Sequence, residues 1–189
     1  MAKVKDNVLM KGVSGTIGGQ LTFRQIGGKT FVSKYQRPPS VAATEKKVAV
    51  QTKFGAATAY GRRVVRDPGL KALYQAVVKG GQRAFNIAVI DAMQAPVVQS
   101  IQTENYYGHI GDPIIVHATD DFKVAAVVVS VYNQAGVLIE EGKAILQENE
   151  EKNWLYIASQ ENTGYSGSKI NAVATDLPGN LASFSLELS

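Results

Sequence analysis

The sequence contains no cysteine and only two histidines among its 189 residues. The lack of cysteine excludes disulfide scaffolds, cysteine nucleophiles, iron–sulfur clusters and the common structural zinc sites. Long apolar runs are also missing: the most apolar segment, residues 124–131, is about a third to a half of the roughly 20 residues that a membrane helix requires. The sequence therefore predicts no thiol chemistry and no membrane insertion.

Known catalytic and nucleotide-binding motifs are incomplete. Gly28-Lys29-Thr30 copies the end of a phosphate-binding loop, but Phe23 occupies the position of the first glycine, and residues 31–32 are typical of a strand rather than a helix. The serine of residues 164–168 lacks the glycine spacing of a nucleophile elbow. We therefore expect no catalytic residue, no cofactor and no small-molecule substrate.

A cation site is the one metal-binding alternative. Four aspartates of the second half of the chain are candidates to converge at one end of a β-sandwich, namely Asp112, Asp120, Asp121 and Asp176. The chain has no consecutive calcium-loop signature. The sequence thus predicts no metal ligands and leaves calcium binding by these acidic loops as an open question.

Residues 1–36 have the pattern of a β-hairpin. Apolar residues alternate on both sides of Gly27-Gly28, and paired glycines supply the positive φ angles of a tight primed turn. Two strands alone are marginally stable in water. We therefore expect this hairpin to dock on another surface, in its own chain or in a second copy, through Ile17, Leu21, Phe23 and Phe31.

Residues 44–94 change to a helical period and predict three helices. The inward stripe of the first would be Val50, Phe54, Ala57, Gly61 and Val64. Asp67-Pro68 marks the start of the second helix and Gly80-Gly81 its end. Its core positions would be Leu70, Leu73, Tyr74, Val77 and Val78. The third, over residues 82–94, is apolar on most sides and should be the most buried.

The remainder reads as short strands separated by turn residues. Seven runs are predicted, at residues 98–103, 113–118, 123–133, 137–147, 153–159, 169–175 and 181–188. This spacing favours an antiparallel immunoglobulin-like or fibronectin-III-like sandwich with Trp154 in its core. The predicted fold is α+β: a hairpin and small helical layer in residues 1–96, then the sandwich in residues 97–189.

Two segments carry a resemblance to known proteins. Ala172-Val173-Ala174-Thr175-Asp176-Leu177-Pro178-Gly179-Asn180 resembles the penultimate strand and last turn of bacterial immunoglobulin-like modules. Residues 15–24 and 28–32 resemble the opening of uncharacterised proteins of Bacteroidetes-type bacteria. Neither resemblance implies a catalytic residue.

Charge is divided unevenly along the chain. Residues 1–100 hold 16 Lys and Arg against 4 Asp and Glu, whereas residues 101–189 hold 4 against 12. Arg62, Arg63 and Arg66 lie about one helical turn apart and repel each other unless a partner neutralises them. The candidate acidic partners, in the same molecule or the next, are Glu140, Glu141, Glu148, Glu150 and Glu151.

These observations favour a non-enzymatic structural subunit that assembles head to tail into a filament, an appendage or part of a particle. Strand addition by residues 13–24 to a sheet edge of an adjacent copy is the expected mechanism.

Two alternatives stay open. The basic half could bind nucleic acid, helped by Tyr35, Tyr60 and Tyr74. The sandwich could bind carbohydrate through Tyr106, Tyr107 and Tyr165. The sequence shows no secretory signal, which leaves the compartment unknown, with a cytoplasmic or particle-associated location as the default expectation.

Overall fold

The computed structural model describes residues 2–4, 7–37, 44–147 and 152–189. These residues form three helices and three antiparallel sheets, so the prediction of an α+β fold is confirmed. The chain divides into two compact units, residues 1–45 and 46–189. The sequence suggested a boundary after residue 96 instead. The helices group with the C-terminal strands because their buried residues pack against Phe122 and Leu177.

The first unit is a four-stranded sheet in the order β1-β4-β3-β2. Its strands are β1 (Ala2–Lys3), β2 (Gly15–Ile17), β3 (Leu21–Ile26) and β4 (Lys29–Lys34). Gly27 and Gly28 have φ angles of 55° and 71° and form the predicted turn between β3 and β4. The expectation of two strands alone was wrong, because β2 pairs with β3 and β1 pairs with β4.

Cross-strand pairing decides which side chains share a face of this sheet. Ile17 lies opposite Leu21, and Phe23 lies opposite Val32. Residues directly opposite each other share a face, and alternate residues of a strand share it too. Ile17, Leu21, Phe23 and Val32 therefore form one apolar face, while Phe31 lies on the other.

The second unit begins with three helices: α1 (Glu45–Arg66), α2 (Pro68–Ala76) and α3 (Ala84–Met93). The predicted start of α2 is confirmed, because the Asp67 carboxylate accepts hydrogen bonds from the backbone N–H groups of Gly69 (2.9 Å) and Leu70 (3.1 Å). The helix ends at Ala76, earlier than the Gly80-Gly81 pair suggested.

The predicted helix cores were partly wrong. In α1 the residues Ala57, Gly61 and Val64 are buried, but Val50 and Phe54 are exposed. In α2 only Tyr74 is buried, and Leu73 and Val77 are exposed. In α1 the exposure of Val50 and Phe54 follows from the short third helix: α3 has ten residues and packs beside Ala57 and Gly61, in the second half of α1.

Eight strands complete this unit: β5 (Val97–Gln102), β6 (Pro113–Thr119), β7 (Val124–Tyr132), β8 (Leu138–Lys143), β9 (Ile145–Leu146), β10 (Asn153–Ile157), β11 (Lys169–Asp176) and β12 (Leu181–Glu187). They form two sheets, with the orders β5-β6-β10-β9 and β12-β11-β7-β8. The predicted strand over residues 137–147 is two strands, because the chain passes from one sheet to the other after Lys143.

Both sheets contribute to a single hydrophobic core. One sheet supplies Ile114, Val116 and the predicted Trp154, and the other supplies Val129 and Ile170. This is the packing expected of a β-sandwich. Among the residues that the structure describes, no helix is both long enough and apolar enough to cross a membrane.

Candidate functional site

The first sheet exposes part of its apolar face at the β2–β3 corner. Ile17 is 58% exposed and Leu21 is 42% exposed, whereas Phe23 beside them is buried. Within the described ranges, none of the three clusters of buried hydrophobic residues includes a residue of this sheet. The structure thus brings Ile17 and Leu21 together as an exposed pair and separates Phe31 from them.

The three arginines of α1 are exposed. No described carboxylate lies within ion-pair distance of Arg62, Arg63 or Arg66. Arg63 places its guanidinium 6.0 Å from the ring centroid of Tyr60, a cation–π arrangement. The described part of the chain therefore gives no support to neutralisation of these charges within the molecule.

Glu140 is not an exposed acidic partner, and its prediction as an interface residue was wrong. It is 6% exposed, and its Oε2 accepts hydrogen bonds from the Tyr156 hydroxyl (2.8 Å) and from the backbone N–H (2.7 Å) and hydroxyl (2.8 Å) of Ser159. Burial and the neighbouring Glu140 carboxylate raise the pKa of Tyr156 to about 12. Glu140 therefore holds the loop after β10 against β8.

Of the other predicted acidic residues, Glu141 is exposed and accepts a hydrogen bond from Ser130 (2.9 Å). Glu148, Glu150 and Glu151 lie outside the described residues. Among the described residues, apolar side chains are exposed on β9 and at the end of β10. Ile145, on the short edge strand β9, is 76% exposed, and Leu146 and Ile157 are exposed beside it.

Three carboxylates meet where α3 approaches the ends of two strands. Asp91 belongs to α3, Asp120 directly follows β6, and Asp176 ends β11. One oxygen from each lies within 4.8 Å of the others. Two of the four aspartates weighed from the sequence therefore do come together, while Asp112 and Asp121 are not members of this group.

Asp91 was not identified from the sequence. This residue is almost as buried as Asp176. It is 3% exposed, and the hydroxyl of Tyr74 donates a short hydrogen bond to its Oδ2. Burial raises the pKa of Asp91 to about 6, and the nearby carboxylates of Asp120 and Asp176 act in the same direction. The available signal was an aspartate inside the otherwise apolar stretch of residues 87–93.

Asp112 has a separate, structural role in the turn before β6. Its Oδ2 accepts hydrogen bonds from the backbone N–H groups of Tyr107 (2.7 Å) and His109 (2.9 Å). These two bonds to the charged form lower the pKa of Asp112. The carboxylate therefore stabilises the loop that leads into β6.

Of the six tyrosines proposed for the two alternatives, Tyr74 and Tyr106 are buried, Tyr107 is exposed, and Tyr35, Tyr60 and Tyr165 are half-buried. Tyr74 is fully buried and stacks on Phe122, with ring centroids 4.3 Å apart. The hydroxyl groups of Tyr60 and Tyr74 share a hydrogen bond of 2.9 Å. Tyr106 is buried and hydrogen-bonded to Asn162. Among the candidate tyrosines of the sandwich, Tyr107 is the exposed one, at 55%. Base stacking and sugar stacking both need free ring faces.

No protein-family model, no curated protein and no solved structure matches this chain. The two resemblances noted in the sequence stay predictions.

Proposed function

We propose that this protein is a structural subunit that assembles head to tail with copies of itself. The observation that carries the proposal is the N-terminal sheet. It exposes Ile17 and Leu21 on its apolar face, and it contributes to none of the hydrophobic clusters among the described residues. A small sheet that leaves part of its apolar face exposed gains stability from an apolar partner surface.

Strand β2 supplies a means of joining copies. It is an edge strand of three residues, and no other strand of the described residues pairs with its outer backbone N–H and C=O groups. Unpaired edges of this kind accept another strand. Because Ile17 lies on β2 next to Leu21, strand addition would also bury the exposed apolar pair.

Strand β9 of a second copy is the proposed acceptor. It is the outer strand of its sheet, and its exposed Ile145 lies beside Leu146 and Ile157. The opposite side of the sandwich is less open, because β5 and β12 lie close together there. An apolar donor edge meeting an apolar acceptor edge gives a heterologous contact, which forms rings or filaments.

Charge favours the same head-to-tail order. The basic half holds Arg62, Arg63 and Arg66, which have no ion-pair partner among the described residues, and the acidic half holds Glu141. Oppositely charged surfaces raise association rates and fix orientation more than they raise affinity. We therefore propose that the arginines orient one copy relative to the next, and that the strand edges supply most of the binding affinity between copies.

The proposal includes an immunoglobulin-like topology for the second unit. If its strands are lettered A, B, C, C′, D, E, F and G from β5 to β12, the two sheets read A-B-E-D and G-F-C-C′. Immunoglobulin-like sandwiches pair their strands in this order, which supports the proposed topology. Such a module suits a repeating structural subunit, since its loops and edges lie on separate sides.

The test uses light scattering after size exclusion and negative-stain microscopy of the full chain. We expect concentration-dependent polymers for the original sequence. Ile17→Lys should block the donor edge and Ile145→Lys the acceptor edge, because lysine on an edge strand opposes pairing. Each variant alone should be monomeric. A mixture of the two retains one intact donor and one intact acceptor, so it should give a heterodimer that does not grow.

Ile110→Lys is the matched control, since Ile110 is exposed in a turn outside both edges and should leave polymers intact. An original chain that stays monomeric at every concentration would refute assembly. Nucleic-acid binding is measured on the same samples at about 50 mM salt. Binding that disappears when Arg62, Arg63 and Arg66 are replaced by alanine, in a monomeric protein, would favour the nucleic-acid alternative instead.

A further inference from the structure

The cluster of Asp91, Asp120 and Asp176 brings three carboxylates together. Among the described residues, no Lys, Arg or His side chain is within ion-pair distance of any of them. Carboxylates this close repel each other, and taking them out of water adds to the cost. Protonation of one carboxylate or a bound cation relieves this repulsion.

Hydrogen bonds account for some of the oxygens. The Tyr74 hydroxyl occupies Oδ2 of Asp91, and the backbone N–H of Lys123 donates to Oδ2 of Asp120 (3.0 Å). The second oxygen of each, Oδ1 of Asp91 and Oδ1 of Asp120, is buried and has no hydrogen-bond partner among the described residues. Buried oxygens without a partner are rare in native proteins and call for a specific explanation.

Asp176 has a different environment that fixes its position. Its Oδ1 accepts hydrogen bonds from the backbone N–H groups of Gly179 (2.7 Å) and Asn180 (2.6 Å), and its Oδ2 accepts one from the Asn180 side chain (2.7 Å). The same Asn180 amide donates to the backbone carbonyl of Gln94 (2.7 Å), just after α3. Asp176 is therefore held rigidly beside α3, and its oxygens keep further lone pairs for a ligand.

We propose that Asp91, Asp120 and Asp176 bind one hard divalent cation of the calcium, magnesium or manganese class. All three supply carboxylate oxygens, the ligand type that these ions prefer. Oxygens within 4.8 Å of one another are compatible with a single Ca²⁺, which binds oxygen at about 2.3–2.6 Å. The ion would satisfy the free Oδ1 atoms of Asp91 and Asp120 and neutralise the group.

The site would have a structural consequence within the second unit. Its ligands come from α3, from the end of β6 and from the end of β11. A bound cation would therefore join the helical layer to both sheets, since β6 and β11 belong to different sheets. This inference does not depend on self-assembly.

The test is thermal unfolding of the full chain after chelation, with Ca²⁺, Mg²⁺ or Mn²⁺ added back. A ligand that binds only the folded state should raise Tm, by about 5 °C or more at a hundredfold excess over Kd. Asp91→Asn and Asp120→Asn keep the side-chain shape and should remove the rise. Asp121→Asn is the matched control, because Asp121 is exposed and outside the group, and it should retain the full rise.

A second measurement keeps the test independent of folding stability. Tb³⁺ binds oxygen-rich calcium sites, and Tyr74 is in contact with Asp91, so excitation of tyrosine should sensitise Tb³⁺ emission. Added Ca²⁺ should abolish this emission, and Asp120→Asn should lack it while keeping the native circular dichroism spectrum. The inference is overturned if no cation changes Tm at 10 mM, or if Asp120→Asn responds to cations as the original chain does.

Discussion

At the scale of single residues, neighbouring acids on one strand have opposite roles. Glu140 is buried and accepts hydrogen bonds from Tyr156 and Ser159, whereas Glu141 is exposed. Glu140→Gln removes the charge that makes these bonds strong, and we expect it to lower the free energy of unfolding by about 2 kcal/mol.

Urea unfolding measures this loss, with Glu141→Gln as the control because exposed substitutions usually change stability by less than about 0.5 kcal/mol. Equal effects of the two substitutions would contradict the structural role of Glu140. A buried acid and an exposed acid cannot be told apart in the sequence Leu138–Lys143, because both lie in one short strand and only the position of the facing sheet decides between them.

Asp112 gives a prediction for the pH dependence of stability. Its pKa is lowered in the folded state by the N–H groups of Tyr107 and His109, so its stabilising effect is complete above the ordinary pKa of about 3.9. That effect is lost as the pH falls through the folded-state pKa. Asp112→Asn should therefore be less stable than the original chain at pH 7, and the two should converge below about pH 4.

Urea midpoints between pH 7 and pH 3 give the measurement. His109→Gln is the companion variant: the ring is well exposed, so at pH 7 its replacement should have little effect. A difference for Asp112→Asn that stays constant down to pH 3 would show that the carboxylate charge is irrelevant there.

At the scale of elements, replacing either of two glycines of α1 by alanine should change stability in opposite directions. A Cβ at Gly61 would lie 2.8 Å from Cγ2 of Val89 and 3.0 Å from the ring of Phe85, whereas a Cβ at Gly55 meets nothing within 4 Å. We expect Gly61→Ala to destabilise the protein by about 1–3 kcal/mol through overpacking against α3. Gly55→Ala should stabilise it by up to about 1 kcal/mol through helix propensity.

Urea unfolding of the two variants compares the same chemical change at two places on one helix. If Gly61→Ala proved as stable as Gly55→Ala, then α1 and α3 would not be in close contact. The pair thus tests the packing of the helical layer directly.

Strand β11 and helix α1 show which features of the fold can be predicted from sequence. Alternation of apolar residues predicted strand β11 to within a residue, because Ile170, Ala172 and Ala174 all face the core. The helical period also placed Phe54 on one face with Ala57. Periodicity cannot show where the neighbouring element ends, and α3 is too short to cover Phe54.

The cluster of Asp91, Asp120 and Asp176 was also only partly predictable, because its members lie far apart in the sequence. Turn residues identified Asp120 and Asp176 as loop acids at strand ends. Asp91 joins them only because α3 packs beside the ends of β6 and β11, and that arrangement depends on tertiary contacts far apart in the chain. A lone acid in an apolar helix was the sole local sign.

At the scale of the whole molecule, the two units should differ in how much they contribute to stability. All three hydrophobic clusters of the described residues lie in the second unit. A chain of residues 44–189, which keeps Thr44 ahead of α1, should therefore fold alone and unfold in a single cooperative transition at the same urea midpoint as the full chain. It should also be monomeric, because it lacks the donor strand β2.

Circular dichroism in urea and light scattering give both results on one sample, and full-length Ile17→Lys is the control that lacks the donor edge but keeps the first unit. If residues 44–189 fail to fold, the first unit completes the core of the second. If they fold and still polymerise, the contact between copies lies within the second unit alone. If residues 44–189 form a folded monomer, then the larger unit supplies the stability of the protein and the N-terminal sheet supplies its association.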